Sequence, residues 1–188
     1  WVEKLRQDLY PPKDWGQKEI AIYCGPQFTP WDGSSVEDTG DSFIGGSEEA
    51  VIYLSRELAK MGWKVVVYAD PKKEGVYDGV EYLAHYKFNT RDKFNILILW
   101  RAIGWTDMNC NANKIYLWCH DVQNEAEYTK ERIDKLTKVI VLSEAQRKNI
   151  PSVPDEKAII SSNGFHEHFP KLKSKNNPKW CIWSSSYD

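Results

Sequence analysis

Short runs of apolar residues recur along this chain, and polar segments that contain glycine, proline and asparagine separate them. Two of the runs, 95–100 and 114–119, are almost continuously apolar, which is typical of central strands in a parallel sheet. The pattern predicts seven β-strands, of which the third is the weakest: 19–24, 63–69, 80–86, 95–100, 114–119, 138–142 and 157–160.

One stretch instead repeats its apolar residues with the period of an α-helix. The stripe runs from Val51 to Met61 and predicts a helix over 47–61. Ser47 is expected to cap the beginning of this helix, and Gly62 is expected to end it. The helix lies between the first two predicted strands, as in a β-α-β unit.

Strands that alternate with helices predict an α/β fold, with a Rossmann-like parallel sheet flanked by helices. Two shorter predicted helices, 125–135 and 144–149, continue the alternation. Ligands of such sheets bind beyond the carboxyl ends of the strands. The candidate binding and catalytic residues are those that the pattern places at this edge: Gly45, Gly46, Ser47, Glu48, Trp100, Arg101, His120, Asp121, Ser143 and Asn163.

The segment before the first helix is expected to approach a ligand. Gly45 and Gly46 let the backbone come close to a bound group, and the free N–H groups of the first helical turn suit an anion or a sugar hydroxyl. The loop that leads to them, 25–44, has no predicted structure, and loops of such length are often functional.

Aromatic residues make up 13% of the chain, and nine residues are tryptophan. Most of these rings are expected to fill the core. Trp31, Trp100 and Trp105 lie in or just before predicted loops, where an exposed ring can stack on the apolar face of a sugar. They are therefore candidates for carbohydrate contact.

Composition bears on the compartment and the partners. The net charge of −2 gives no basic footprint for nucleic acid, and no apolar run reaches the roughly 18 residues of a membrane span, which leaves peripheral membrane contact open. The first residues lack the order of a signal peptide. No C-x-x-C pair occurs, so free thiols in a reducing, cytoplasmic compartment are expected, and no metal site. The cysteines are Cys24, Cys110, Cys119 and Cys181.

The pattern also predicts how the chain is divided. A polar lead-in over 1–18 precedes the α/β domain over 19–164. The polar, basic stretch 165–179 is expected to be an inter-domain linker. Residues 180–188 are expected to begin a second domain whose remainder lies outside this sequence.

Three motifs, in this order and spacing, resemble the N-terminal half of a family 4 glycosyltransferase of the GT-B fold. The first is Gly45-Gly-Ser-Glu-Glu-Ala50, which opens the helix that ends near Lys60-Met-Gly-Trp-Lys-Val65. The second is Trp118-Cys-His-Asp121 at a strand end. The third is Val141-Leu-Ser-Glu-Ala-Gln-Arg147, followed by Ser162-Asn-Gly-Phe-His-Glu-His-Phe169, where Phe-His stands in place of the family's usual Ile/Val-Asp.

This resemblance implies a retaining hexosyltransferase that moves a sugar from a nucleotide-sugar to a glycan, lipid or protein-linked acceptor. In that family the N-terminal domain mainly binds the acceptor, and the C-terminal domain binds the donor without a metal or another cofactor. The resemblance therefore implies that this 188-residue chain alone is inactive.

The resemblance also assigns roles to individual residues. Gly45 and Gly46 match glycines that approach the donor diphosphate, and His120 matches a histidine beside the transferred sugar. Asp121 is expected to orient His120 or to contact a sugar hydroxyl, while Ser143, Asn163 and the other candidates line the same edge.

Other interpretations remain open at this point. Asp70 at a strand end is similar to the ribose-binding acid of an NAD-type oxidoreductase domain, although no G-x-G-x-x-G follows the first strand. The domain is also compatible with a non-catalytic carbohydrate-binding protein. In an inverting GT-B enzyme, His120 or Asp121 would act as the catalytic base.

Overall fold

The computed structural model describes residues 9, 11–36 and 44–164. Within them, eight strands form one sheet, in which neighbouring strands are parallel except for β3 and β4. The strands are β1 Glu19–Tyr23, β2 Lys64–Ala69, β3 Gly75–Tyr77, β4 Val80–Ala84, β5 Lys93–Trp100, β6 Asn111–Trp118, β7 Lys138–Val141 and β8 Ala158–Ile160. Their order across the sheet is β3-β4-β2-β1-β5-β6-β7-β8.

Helices flank this sheet, so the predicted α/β fold is confirmed, and the arrangement is compatible with a Rossmann-like fold. The α-helices are α1 Gly46–Lys60, α2 Lys130–Asp134 and α3 Glu144–Lys148. Short 3-10 helices occupy Gly33–Val36, His85–Lys87, Ile103–Met108, Glu125–Glu127 and Asp155–Lys157. In the part of the chain that the structure describes, no helix is both long and apolar enough to cross a membrane.

Each face of the sheet has its own hydrophobic core. On one face, α1 contributes buried Val51 and Ile52 to a cluster with residues of β1, β2 and β4. On the other face, the segments that follow β5, β6 and β7 contribute Ile103, Ile133 and Ile150. The segments that connect the strands therefore cover one face on the β2 side of β1 and the other face on the β5 side. This is expected because right-handed crossover connections that lead to opposite sides of β1 must pass over opposite faces of the sheet.

The strand order reverses between β1 and β5. The chain lays β2 on one side of β1 and later lays β5 on the other. The carboxyl ends of β1 and β5 therefore form a topological switch point, where open α/β sheets usually bind ligands.

The beginning of α1 differs from the prediction. The N-cap is Gly45, which offers no side-chain hydrogen bond to the helix. Ser47 lies inside the first turn, and its Oγ donates to Glu48 Oε2 at 2.8 Å, so the prediction that Ser47 caps α1 is wrong. The predicted end is confirmed, because Gly62 follows the last turn with a φ of 83°.

A short hairpin at the edge of the sheet is absent from the sequence-based prediction. β3 pairs antiparallel with β4, and Asp78 and Gly79 between them adopt φ values of 49° and 80°. Positive φ at both central residues is the geometry of a two-residue hairpin turn, for which Asp-Gly is a preferred sequence. The dipeptide was therefore a usable signal.

Part of the predicted polar lead-in packs against the sheet. Trp15 is buried against Phe94, and its Nε1 donates to Asp92 Oδ2 at 2.9 Å. Asp14 forms a parallel bridge to Lys93 beside the start of β5. The predicted linker, 165–179, and the predicted second-domain strand, 180–188, lie outside the described residues.

Candidate functional site

A cavity of about 350 Å³ opens at the switch point. Three segments form it: the loop that follows β1, the first turn of α1 and the turn that follows β5. The lining residues are Cys24, Pro26, Gln27, Phe28, Thr29, Trp31, Ile44, Gly45, Glu48, Trp100, Arg101, Ala102 and Trp105. Among the predicted site residues, Gly45, Glu48, Trp100 and Arg101 thus meet at one place.

Arg101 occupies a strained turn at the end of β5. Its φ is 69°, and the Ala102 amide donates to the Trp100 carbonyl across it at 2.9 Å. A γ-turn with a positive φ at its central residue is the rarer and more strained of the two γ-turn forms. Backbone strain of this kind clusters at functional sites.

The Arg101 guanidinium connects three elements of the site. Its Nε and Nη2 donate to the two Asp121 carboxylate oxygens, at 2.5 Å and 2.9 Å. Its Nη1 lies 3.5 Å from Glu48 Oε1, and the group lies 4.9 Å from the centre of the Trp100 ring. Asp121 therefore forms an ion pair with Arg101, which the sequence did not predict. The carboxylate holds Arg101 in place of the predicted orienting contact to His120.

His120 follows β6 and packs among tryptophan rings. Its ring lies 4.4 Å from that of Trp118 and 6.0 Å from that of Trp100. The Nε2 atom is buried and has no hydrogen-bond partner among the described residues. Burial lowers the pKa of His120 to about 4, although the Asp121 charge opposes the shift. The imidazole is therefore neutral at physiological pH.

Glu48 projects from the first turn of α1 into the cavity. Its side chain is 14% exposed and accepts the Ser47 hydroxyl. A Cβ atom added at Gly45 would lie 2.5 Å from Glu48 Oε2, which shows how closely the carboxylate folds over the helix N-terminus. A carboxylate at this end of a helix interacts favourably with the helix dipole.

Two of the three predicted stacking tryptophans are core residues. Trp31 and Trp100 are each 1% exposed, with ring centres 6.3 Å apart, and their Nε1 atoms are buried without a partner among the described residues. Trp105 is half-buried, lines the cavity and packs edge-on against Tyr23 at 5.2 Å. The prediction of exposed rings at Trp31 and Trp100 is therefore wrong, because both rings pack into the hydrophobic core on the α1 face of the sheet.

The exposed aromatic residue of the cavity is Phe28, which the sequence analysis missed. It is fully exposed and belongs to the loop after β1. The signal was a phenylalanine between Pro26 and Pro30, within the long predicted loop 25–44.

Asp70, at the end of β2, anchors this loop. Its Oδ2 accepts the Gln27 amide at 2.6 Å, and its Oδ1 lies 2.7 Å from His85 Nδ1. The Asp70 carbonyl accepts the Trp31 amide at 2.9 Å. Both oxygens of the Asp70 carboxylate are therefore engaged within the protein. The loop itself begins at Gly25, which has a φ of 70°.

The remaining predicted residues, His120 and Asp121 among them, do not line the cavity. Gly46 and Ser47 belong to the first turn of α1, and Ser143 caps α3, with its Oγ accepting the Gln146 amide at 3.1 Å. Asn163 is exposed beyond β8. Gln146 Nε2 donates to the carbonyl of Asp121 at 2.6 Å, which connects α3 to the end of β6.

Burial disfavours the thiolate form of the three cysteines that the structure describes. Cys24, Cys110 and Cys119 are free, and burial raises the pKa of each, to about 12 for Cys110 and about 11 for Cys119. Cys181 lies outside the described residues. Within the described ranges, no group of three or more histidine, cysteine, aspartate or glutamate side chains could hold a metal ion.

Comparisons with protein-family models and with curated proteins give no match to this chain.

Proposed function

We propose that this chain is the N-terminal, acceptor-side domain of a retaining hexosyltransferase, of the GT-B fold and the family 4 type. The enzyme transfers a sugar from a nucleotide-sugar to a sugar-containing acceptor, without a metal or another cofactor. The observation that carries the proposal is the cavity at the switch point, where Gly45, Trp100 and Arg101 converge from distant parts of the sequence. Open α/β sheets bind their ligands in this crevice.

The composition of the cavity supports a sugar ligand. Arg101 can donate hydrogen bonds to hydroxyl oxygens, and Glu48 can accept them from hydroxyl hydrogens. Phe28 and Trp105 add apolar surface beside these polar groups. A few placed polar groups within an aromatic surround are typical of small-molecule sites.

The state of His120 favours a retaining over an inverting reaction. A general base works best with a pKa near the operating pH, whereas the pKa of His120 is about 4. Asp121 is committed to Arg101. We therefore give His120 the role of a neutral hydrogen-bonding group beside the sugar, and we assign no base to this domain.

The oxidoreductase alternative is weakened by Asp70. A ribose-binding acid needs a free carboxylate to receive the ribose hydroxyls. Here the two oxygens of Asp70 contact Gln27 and His85.

A cytoplasmic location, with reduced thiols, belongs to the same proposal as the transferase activity.

The test is sugar transfer by the natural full-length protein. UDP-glucose, UDP-N-acetylglucosamine and GDP-mannose are each incubated with mixed methyl glycosides in the presence of EDTA, and products are identified by mass spectrometry and NMR. We expect one donor to give a product with retained anomeric configuration, and no product from the 188-residue chain alone. His120→Ala should lower the rate about tenfold or more, through one lost hydrogen bond.

Two results would contradict the proposal. Inversion at the anomeric carbon would return a base to this domain. Tight binding of NAD by the chain, with no transfer from any donor, would favour the oxidoreductase.

A further inference from the structure

We infer that the cavity at the switch point is a subsite for a neutral, unphosphorylated pyranose, which Phe28 and Glu48 hold. This pyranose is the terminal sugar of the acceptor. The inference rests on the proposed function and deepens it. It also differs from the expectation that Gly45 and Gly46 receive the donor diphosphate. Charge, size and the position of one aromatic ring support it.

The charges of the cavity disfavour a phosphate. Among the described residues that line it, the charged ones are Glu48 and Arg101. Arg101 already forms two hydrogen bonds with Asp121, so its charge is compensated. A phosphate would therefore meet the Glu48 carboxylate beside a guanidinium that is already paired, and like charges at contact distance repel.

Glu48 also occupies the place that an anion would take. The N-terminus of a helix attracts anions through its free N–H groups and its dipole. In α1 the Glu48 carboxylate folds over Gly45 and already supplies that negative charge. A sugar hydroxyl, in contrast, can donate a hydrogen bond to this carboxylate and stay neutral.

Phe28 provides an apolar platform at the cavity. Its ring is fully exposed, although Gln27 before it and Trp31 after it are anchored by hydrogen bonds. The amides of Gln27 and Trp31 donate to Asp70, and Gln27 Nε2 donates to the carbonyl of Cys24 at 2.8 Å. An exposed ring on an anchored loop, beside polar cavity groups, suits the apolar face of a pyranose.

The size of the cavity agrees with one sugar ring. Its volume of about 350 Å³ is at the lower end of the roughly 300–1,000 Å³ of ligand pockets. A whole nucleotide-sugar, with its base, ribose, diphosphate and sugar, would extend far outside it. A single pyranose at the end of a glycan or glycolipid fits this space.

The experiment is a titration of the ¹⁵N-labelled 188-residue chain, observed through the indole N–H signals of Trp31 and Trp100, which line the cavity. The probes are methyl glycosides of glucose, mannose, galactose and N-acetylglucosamine, with inorganic phosphate and pyrophosphate as anionic probes. We expect at least one glycoside to shift these signals with a Kd of about 1 mM, as is typical of the efficiency of small ligands. Phosphate and pyrophosphate should leave them unchanged at the same concentration and ionic strength.

Two variants test the roles of Phe28 and Glu48, and each has a matched control variant. Phe28→Ala should weaken glycoside binding about fivefold or more, whereas Tyr86→Ala, at an exposed aromatic outside the cavity lining, should not change it. Glu48→Gln should increase phosphate binding about tenfold or more, because the repelling charge is lost. Glu49→Gln, at the exposed neighbour in α1, should have no such effect.

Some results would overturn the inference. They are phosphate binding by the wild-type chain with every glycoside silent, or glycoside binding that Phe28→Ala leaves unchanged. The outcome is separable from that of the proposed function. Glycoside binding without transfer by the full-length protein would sustain the subsite and refute the enzyme. Transfer by the full-length protein combined with phosphate binding in this cavity would sustain the enzyme and refute the subsite.

Discussion

The strained turn at Arg101 gives a prediction in which two structural effects oppose each other. Arg101→Gly removes the ion pair with Asp121, in which the two side chains are 37% and 51% exposed. Screening by solvent limits such a pair to about 0.5–1 kcal/mol, and the contact with the Trp100 ring adds about 0.5 kcal/mol. The extra freedom of glycine in the unfolded chain costs about 0.5–1 kcal/mol more.

Relief of backbone strain acts in the other direction. The φ of 69° at Arg101 is costly for an L-residue with a Cβ atom, by about 1–2 kcal/mol, and is free for glycine. The opposing contributions are similar, so we expect the free energy of unfolding of Arg101→Gly to lie within about 1 kcal/mol of the wild type. Arg101→Ala loses the same contacts and keeps the strain, but it does not bear the entropy cost of glycine. It should therefore be less stable than Arg101→Gly by about 0.5–1 kcal/mol, the relieved strain less that entropy cost.

The assay is urea unfolding followed by tryptophan fluorescence, with Asn109→Gly as the control. Asn109 has a φ of 52° outside the cavity lining, so its replacement should leave glycoside binding intact. Arg101→Gly should fold well but bind methyl glycosides several-fold more weakly. If Arg101→Ala were as stable as Arg101→Gly, the strain argument would be refuted. If Arg101→Gly lost more than about 2 kcal/mol, the turn would serve stability and not the site.

Three further predictions follow from single features. Gly25→Ala should destabilise the protein by about 2 kcal/mol or more in the same assay, because φ is 70° and the new Cβ atom would lie 2.6 Å from Trp105 Cζ2. Gly104→Ala is the control, since its Cβ atom would meet no atom within 4 Å. The pKa of His120 is about 4 in the folded chain, below its ordinary value of 6.5, so the unfolded chain binds more protons between these values. Stability should therefore fall as the pH drops through this window, and His120→Gln should flatten that part of the profile measured by thermal unfolding. Asp70→Asn should cost about 1–3 kcal/mol and weaken glycoside binding, because it loosens the loop that presents the aromatic ring; unchanged binding would show that the anchor is not needed.

The fold could be predicted from the sequence to the extent that burial leaves a pattern. The strands corresponding to β5 and β6 are nearly continuous apolar runs because both of their faces are covered. Helix α1 is amphipathic because one of its faces is buried. β3 was missed, since its three residues, Gly75–Tyr77, are too short to show alternation, and the Asp-Gly turn after it was the better signal.

The site was harder to predict, because its chemistry depends on which side chains meet. The sequence identifies the end of β5 and the beginning of α1, and two predicted residues from each of these places do line the cavity. It does not show that Asp121 turns to Arg101 rather than to His120, or that Trp31 packs against Trp100 in the core. Such pairings depend on side-chain direction and strand register, which are tertiary properties.

The register of β5 and β6 explains why the site residues form one unit. Trp100 lies directly opposite Trp118, and the Arg101 amide continues the ladder by donating to the Trp118 carbonyl at 2.8 Å. The γ-turn at Arg101 then takes the chain out of the sheet, so that the guanidinium lies between Asp121 and the first turn of α1. A substitution at any of these positions should therefore change the charge presented to a ligand, and Asp121→Asn provides the sharpest case. Among the described residues, it would leave the guanidinium with Glu48 as its nearby carboxylate. Phosphate binding should therefore rise, while a neutral glycoside should bind nearly as before.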